Sequence, residues 1–355
     1  MKEKIKAAVI GGSGFTGMEL IKILNLHKYT KVKIVTSRKY KDVSVSKAFS
    51  SYTDYTGDIL TFKEKAAKNE LKDIDVVFLC LPPLKSMQYI KENLLKYDGV
   101  IIDIGSDFRI NDPDDFQMWY GSEHILKGML PDFVYGITEI NKQKIKKCKY
   151  IANPGCYPTS VILSLAPVLE ISNLNIKSIN IDAKSGVSGA GRKLEMDYLF
   201  CNVDNNFFAY AAETHRHIGE IEQEVSKIAG KEMKVCFTPH LLPINRGIFT
   251  SIYCKLEHKD NLADEVEKIY KVYEEFYKNS FFVQFQGKKI PQLKDVIGTN
   301  ICQIGISFDK RTDTLKIFSA IDNLLKGAAG QAVQNMNVAF GFDEREGLIY
   351  NGVFS

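Results

Sequence analysis

The sequence predicts two domains of different class. Residues 1–150 read as a doubly wound α/β domain, completed by the C-terminal segment 324–355, and residues 151–323 as an α+β domain built on a mixed sheet. Three observations carry this. Short β-rich runs alternate with helical stretches in the first part, as buried parallel strands with crossover helices do. After residue 156 the strand-like runs take on hairpin-like spacing instead. A chain of 355 residues is also long enough to give each domain its own core.

In order, KIKAAVI (4–10), KVKIVTS (31–37), DVVFLCL (75–81) and GVIIDIG (99–105) are the four candidate parallel strands. MELIKILNLH (18–27) and LKSMQYIKENLLK (84–96) have apolar spacing suited to helices between them. A helix over TSVILSLAPVLE (159–170) follows. Strands SINIDAKS (178–185), KVCFTPHLL (234–242), GIFTSIYCKLE (247–257) and ICQIGISFD (301–309) then alternate with helices near 217–229 and 261–278. From Leu324 the pattern is helical again, and this last segment is expected to pack back on the first domain.

Composition narrows the function. Apolar residues make 45% and charged residues 25%, ordinary for a globular chain. A net charge of +4 spread along the chain gives nucleic acid binding no support, and the Lys142–Lys149 run reads as a solvated helix face. No signal-peptide pattern and no run of about 18 apolar residues is present, so a cytosolic protein without a membrane span is expected. The seven cysteines include no CxxC pair, which argues against a metal site and a disulfide framework. Cys80, Cys236, Cys254 and Cys302 lie in strand-like runs and are expected to be buried thiols. Cys148 and Cys201 show no obvious role.

Residues 11–17, GGSGFTG, join the first strand to the first helix. Gly11 allows the tight turn, Gly14 lets a pyrophosphate approach the backbone, and Gly17 lets helix and strand pack closely, the plan of a Rossmann-type dinucleotide site. Gly12, Ser13, Phe15 and Thr16 complete the turn. The phosphates are expected on the helix N-terminus, where N–H groups and the dipole favour anions. At the end of the second strand an NAD site carries Asp or Glu. Here stand Ser37, Arg38 and Lys39, and a hydroxyl with a guanidinium suits a 2′-phosphate. NADP(H) is the expected cofactor.

Cys156 differs from the other thiols. In ANPGCYPT (152–159), Pro154-Gly155 forces a turn, and Pro158 sits where the first turn of a helix tolerates proline. The sulfur therefore sits at or just before a helix N-terminus, which favours the thiolate. A thiolate nucleophile needs an acid/base partner. ETHRHIGEIEQE (213–224) offers His215 and His217 at a helix start, with Glu220 placed to orient the His217 imidazole. This favours His217 and leaves His215 open, since a non-helical entry still lets it reach the site.

These residues resemble the N-acetyl-gamma-glutamyl-phosphate reductases of arginine biosynthesis, along the length of the chain. GGSGFTG, TSRKY (36–40), DIGSDFR (103–109), ANPGCYPT, AKSGVSGAGR (183–192), THRHIGEIEQ (214–223), HLLPINRGI (240–248) and DNLLKGAAGQAVQNMN (322–337) occur in that order. The resemblance implies an NADP-binding domain completed by the C-terminal helix and a central catalytic and dimerisation domain. It implies Cys156 as nucleophile, the His215–His217 stretch as acid/base, and Asn323 near the nicotinamide. One departure is YGITEIN (135–141), where that family usually has proline in place of Thr138.

The expected chemistry is attack of Cys156 on an acyl phosphate, loss of phosphate, and hydride reduction of the resulting thioester. The Cys156 backbone N–H is the simplest donor to the oxyanion. Position and resemblance nominate Arg109 for the phosphate. Arg192, Arg246 and Ser185, in Gly-rich loops of the second domain, are further candidates for substrate contact. Two related enzyme readings are an aspartyl phosphate substrate, against which THRHIGEIEQ and HLLPINRG argue, and a carrier-linked aminoadipyl phosphate of lysine biosynthesis. An NADP-binding sensor or scaffold is the non-enzyme reading, and the cysteine with its histidines argues against it. A homodimer or homotetramer is expected through the second-domain sheet.

Overall fold

The computed structural model describes residues 4–53, 59–172, 174–257, 262–348 and 351. These residues form two compact units. One lies within Met1–Gly155 and Ala328–Leu348, the other within Cys156–Gly327. Of the expected C-terminal segment 324–355, residues 349–350 and 352–355 lie outside the described residues, as does residue 261 of the helix expected near 261–278.

The first unit carries β1 (Ile5–Ile10), α1 (Phe15–Leu26), β2 (Thr30–Thr36), α2 (Val45–Ala48), β3 (Phe62–Lys63), α3 (Lys68–Leu71), β4 (Val76–Leu79), α4 (Ser86–Asn93) and β5 (Val100–Asp103). It continues with α5 (Pro113–Tyr120), β6 (Phe133–Tyr135), α6 (Thr138–Ile145) and β7 (Tyr150–Ala152), and a helix over Gly330–Ala339 completes it. The strands form one parallel sheet in the order β3-β2-β1-β4-β5-β7-β6. β4 is wholly buried, and from Ala7 onward β1 is too, so both read as unbroken apolar runs. The order reverses between β1 and β4, and the crevice at such a switch point takes ligands at the carboxyl ends of the strands.

Thr138 opens α6 with its hydroxyl buried. It donates to Asn335 Oδ1 at 2.7 Å and accepts from Gln331 Nε2 at 2.8 Å. Asn335 Nδ2 in turn reaches the Gly136 carbonyl at 2.8 Å and Asn153 Oδ1 at 3.1 Å. Proline at position 138 offers no hydroxyl, so threonine here is matched by polar partners on the C-terminal helix.

The second unit carries α7 (Cys156–Leu169), β8 (Asn175–Gly186), α8 (Phe200–Val203), β9 (Phe208–Ala209), α9 (His217–Ala229) and β10 (Cys236–Leu242). β11 (Ile248–Glu257), α10 (Leu262–Tyr277), β12 (Val283–Phe285), β13 (Cys302–Asp309) and β14 (Thr314–Ile321) follow; the Gly330–Ala339 helix is α11. Its sheet, ordered β12-β13-β14-β11-β8-β10-β9, is mixed: β8 pairs parallel with β10 and antiparallel with β11. The two classes observed are the α/β and α+β classes that the sequence predicts.

Every residue of α7 after Cys156 is buried, and hydroxyl groups fix the helix to its surroundings. Ser160 Oγ meets Thr250 Oγ1 of β11 at 2.9 Å and Ser319 Oγ of β14 at 2.8 Å. Pro167 has no N–H for the Leu163 carbonyl four residues earlier, and the Tyr277 hydroxyl donates to that carbonyl instead. The Tyr273 hydroxyl donates to the next carbonyl, Ser164 O, at 2.6 Å. Cys254 and Cys302 are buried, but Cys236 is exposed. β10 alternates inward and outward, and its first residue falls on the outer face.

Candidate active site

The Gly-rich turn of the first unit is shaped as a dinucleotide site requires. Gly11 has φ +87, and a Cβ there would collide with the Cys80 carbonyl, so a side chain is excluded on both counts. At Gly17 an added Cβ would lie 2.8 Å from the Gly11 oxygen, which keeps α1 tight against the turn. The turn is tied to β2 by Gly11 N–H to Thr36 Oγ1 at 3.0 Å and Gly12 N–H to Thr36 O at 2.9 Å. Gly14 is the N-cap of α1. No side chain caps the helix, and no atom lies within 4 Å of a Cβ built there. An uncapped helix start with open space before it fits a pyrophosphate. Phe15 and Thr16 form the first turn of α1.

At the end of β2, Ser37 is buried and donates to Ser13 Oγ at 2.8 Å, joining the two parts of the site. Arg38 and Lys39 are exposed; the Lys39 ammonium lies 5.4 Å from the Tyr40 ring centre. Arg109 is 8% exposed, and its Nε and Nη2 donate to the carbonyls of Asn153 (2.8 Å) and Ile104 (2.9 Å). It thereby ties together the carboxyl ends of β5 and β7. Beside it Asp103 accepts from Ser86 Oγ at 2.6 Å, and Asp107 accepts from the N–H groups of Leu84 (2.7 Å) and Met87 (3.0 Å). Burial pushes both carboxyls above the usual range.

In the second unit Cys156 is half-buried as the first residue of α7. Tyr157 follows it, 2% exposed, and its hydroxyl donates to the His240 carbonyl at 3.1 Å and accepts from the Tyr210 hydroxyl at 3.3 Å. The ring of Tyr157 lies edge-on to both histidines, at 5.7 Å from His215 and 5.9 Å from His217. Tyr210 and Phe237 close the box around His215, each 5.6 Å away. Burial pushes the Tyr210 hydroxyl up, against the bond to Tyr157, which lowers it.

The two histidines differ. His215 Nδ1 accepts the His217 backbone N–H at 3.2 Å, so it is unprotonated and bonds the first turn of α9. Burial, with the nearby Arg216 charge, holds His215 down to about 4. His217 is the first residue of α9, its ring 4.7 Å from that of His215. Glu220 is fully buried in the same turn. The tyrosines of this cluster escaped the sequence reading, since adjacency to Cys156 was the only signal for Tyr157 and nothing marked Tyr210.

The Gly-rich loops are zipped together. Gly186, Val187 and Ser188 donate N–H groups to the carbonyls of Gly247, Ile244 and Asn245 at 2.9–3.0 Å. Ser185 is buried and bonds the Gly186 carbonyl at 3.0 Å. Arg246 Nε lies 3.3 Å from Asp322 Oδ2, and Asn323 is buried between Gly247 and Ser188. Arg192 is exposed. Among the described residues no group of three or more His, Cys, Asp or Glu is placed to hold a metal, and no helix is long and apolar enough to cross a membrane.

A turn built for a dinucleotide in one unit, and a helix-start cysteine with histidines in the other, are the parts of a pyridine-nucleotide dehydrogenase that works through a thiol. Residues 6–148 match the family described as semialdehyde dehydrogenase, NAD binding domain, and residues 156–323 match its dimerisation domain. The chain is 43% identical over 352 residues to the N-acetyl-gamma-glutamyl-phosphate reductase of Caldicellulosiruptor saccharolyticus, covering 99% of each. It is 40% identical to that of Clostridium novyi, covering 97% of this chain and 98% of the relative. The chain belongs to the N-acetyl-gamma-glutamyl-phosphate reductase family.

Solved structures share the fold. Aspartate semialdehyde dehydrogenase II of Vibrio cholerae superposes with a TM-score of 0.72 at 16% identity, over 96% of this chain and 99% of that one. The aspartate semialdehyde dehydrogenase of Candida albicans, solved with NADP, gives 0.68 at 17% identity, over 95% and 98%.

Proposed function

We propose that the chain reduces N-acetyl-L-glutamyl 5-phosphate to N-acetyl-L-glutamate 5-semialdehyde and phosphate, using NADPH, in arginine biosynthesis. The observation that carries this is full-length similarity to reductases of that name, combined with Cys156 at the start of α7, whose neighbour Tyr157 packs edge-on against two histidines. The reading includes a cytoplasmic location and a homodimer or homotetramer. The match of residues 156–323 to a dimerisation domain supports the assembly.

In the mechanism, the Cys156 thiolate attacks the C5 carbonyl, and the carbon–sulfur bond forms as the carbon–oxygen bond to phosphate breaks. The His217 imidazolium gives its proton to the departing phosphate oxygen. The Cys156 N–H, at the helix start, stabilises the oxyanion at each addition. The dinucleotide held by the Gly11–Gly17 turn would supply, when bound, a hydride for the thioester carbon, which gives the thiohemiacetal alkoxide. The alkoxide then expels the Cys156 thiolate and leaves the aldehyde. Gly11, Gly12, Ser13, Gly14, Phe15, Thr16 and Gly17 would hold the pyrophosphate, with Ser37 and Arg38 at the 2′-phosphate. Ser185, Arg192 and Arg246 are the proposed substrate contacts. Arg109, by its bonds to two strand ends, would shape the site more than touch the phosphate.

His217 is assigned the proton because His215 Nδ1 already accepts a backbone N–H. Glu220 would orient His217. The test compares His217→Gln with His215→Asn, whose amide oxygen can still accept the helix N–H. His217→Gln is expected to lower kcat by about 10²–10³-fold, and His215→Asn by less than about tenfold. The reverse ranking would move the proton to His215. Faster turnover of aspartate semialdehyde or a carrier-linked substrate than of N-acetylglutamate semialdehyde would overturn the substrate.

A further inference from the structure

Two adjacent buried residues just past the end of β14, Asp322 and Asn323, hold several parts of the second unit at once. Asp322 is fully buried. Its Oδ1 accepts the N–H groups of Leu324 (2.8 Å) and Leu325 (3.1 Å), and its Oδ2 accepts Gly298 N–H at 2.9 Å. The same Oδ2 lies 3.3 Å from Arg246 Nε, and the Arg246 side chain keeps 23% of its surface exposed. The Asp322 carbonyl accepts Gly327 N–H at 3.0 Å, a bond five residues long that starts a π-turn. That turn backs the nucleophile. A Cβ on Gly327 would stand 2.9 Å from the Cys156 β-carbon.

Asn323 does the complementary work. Its Oδ1 accepts Gly247 N–H at 2.8 Å, next to Arg246, and its Nδ2 donates to Ser188 Oγ at 3.0 Å. Both ends of the amide are thus engaged within the second unit, on the two loops that carry the substrate-side candidates. The resemblance to the reductases placed Asn323 beside the nicotinamide; its observed bonds point to the other ligand.

We infer that Asp322 and Asn323 are a positioning pair that orients Arg246 as the binding group for an oxyanion of the substrate, its carboxylate or its phosphate. This rests on the acyl-phosphate reading above. The buried Asp322 carboxylate, 3.3 Å from Nε, holds the guanidinium near it by charge, and a guanidinium so held is placed for an oxyanion. Asn323 fixes the backbone at Gly247 and ties it to the Ser188 loop, so the arginine cannot swing away from that loop. The pair acts through Arg246 and touches no reacting atom.

The test runs the reverse reaction with N-acetylglutamate 5-semialdehyde, inorganic phosphate and NADP. In Asn323→Leu the KM for one oxyanion partner is expected to rise about tenfold, and in Ser188→Ala about threefold, from loss of buried hydrogen bonds. The KM for NADP should stay within about twofold and kcat within about threefold. A rise in the phosphate KM assigns Arg246 to phosphate; a rise in the semialdehyde KM assigns it to the carboxylate. The double variant Arg246→Ala/Asn323→Leu should be no weaker than Arg246→Ala alone.

A higher KM for NADP with both substrate constants unchanged would overturn the inference, as would additive losses in the double variant. If Asn323→Leu does not fold, as read by its thermal melt, Ser188→Ala decides by the same criteria. Protection of Cys156 from iodoacetamide by phosphate or N-acetylglutamate gives a reading without turnover. Weaker protection in the variants, in a protein whose wild type does not oxidise this semialdehyde, would uphold the pair and reject the substrate. Unchanged protection and unchanged constants in an active enzyme would reject the pair alone.

Discussion

Arg38 stands exposed at the end of β2 with no hydrogen bond or ion pair among the described residues, while Ser37 beside it is buried against Ser13. Of the two residues that suggest a 2′-phosphate, one holds the turn together and the other is the contact proposed for the ligand. Arg38→Ala is expected to raise the KM for NADPH about 10–100-fold, the worth of a charge-assisted bidentate contact, and to change NADH use little. Steady-state kinetics with both cofactors checks this. Side-chain chemistry was legible in the sequence here because an arginine is a cation wherever it sits. Partners were not legible. Nothing in the spacing of residues 103–109 shows that Arg109 is buried with its N–H groups on two main-chain carbonyls. Likewise the Glu220 spacing favours His217 but leaves His215 open, and the bond from His217 N–H to His215 Nδ1 separates them further.

The elements that the sequence made plain are those long enough to show a period. α9 begins at His217 and ends before Gly230 in the left-handed conformation, a start and a stop that the residue pattern carries. β3, β6, β7 and β12 have two or three residues each, too few for any alternation, and the sequence reading passed over them. β14 shows no such signal either, although all eight of its residues pair with β11. α7 runs from Cys156, so the sulfur stands at the helix start as expected, with Pro158 in the first turn, although the apolar run itself reads as helix only from Thr159. Thr138 illustrates what tertiary partners decide. Its hydroxyl links α6 to α11 through Gln331 and Asn335, so Thr138→Val should cost about 1–3 kcal/mol by leaving buried amides without their partner. Denaturant unfolding of the variant reads this directly. A change below about 0.5 kcal/mol would show that the network adjusts without the hydroxyl.

Each unit keeps its own core and its own chemistry, and the pH response is a property of the whole chain. Burial lowers His27 from 6.5 and holds His124 and His215 at about 4. Below pH 6.5 the unfolded chain takes up protons that the folded rings refuse. Each ring therefore contributes stability that is whole above 6.5 and lost as the pH falls toward its lowered value. The buried Asp103 carboxyl is pushed up and works in the opposite sense, contributing stability below its ordinary 3.8 that is lost as the pH rises through its raised value. Ring resonances of His124 and His215 should hold constant from pH 8 to about 5 in an NMR titration. A midpoint near 6.5 for either would contradict the burial seen. The Cys156 thioester is open to one direct measurement. The enzyme is mixed with N-acetylglutamate 5-semialdehyde and NADP without phosphate, and the intact mass is recorded with the absorbance of NADPH. A burst of about one equivalent of NADPH per site is expected, with an N-acetylglutamyl adduct on the peptide bearing Cys156, both absent in Cys156→Ser. An active enzyme that shows no adduct, or a serine variant that keeps full phosphate-dependent turnover, would contradict it.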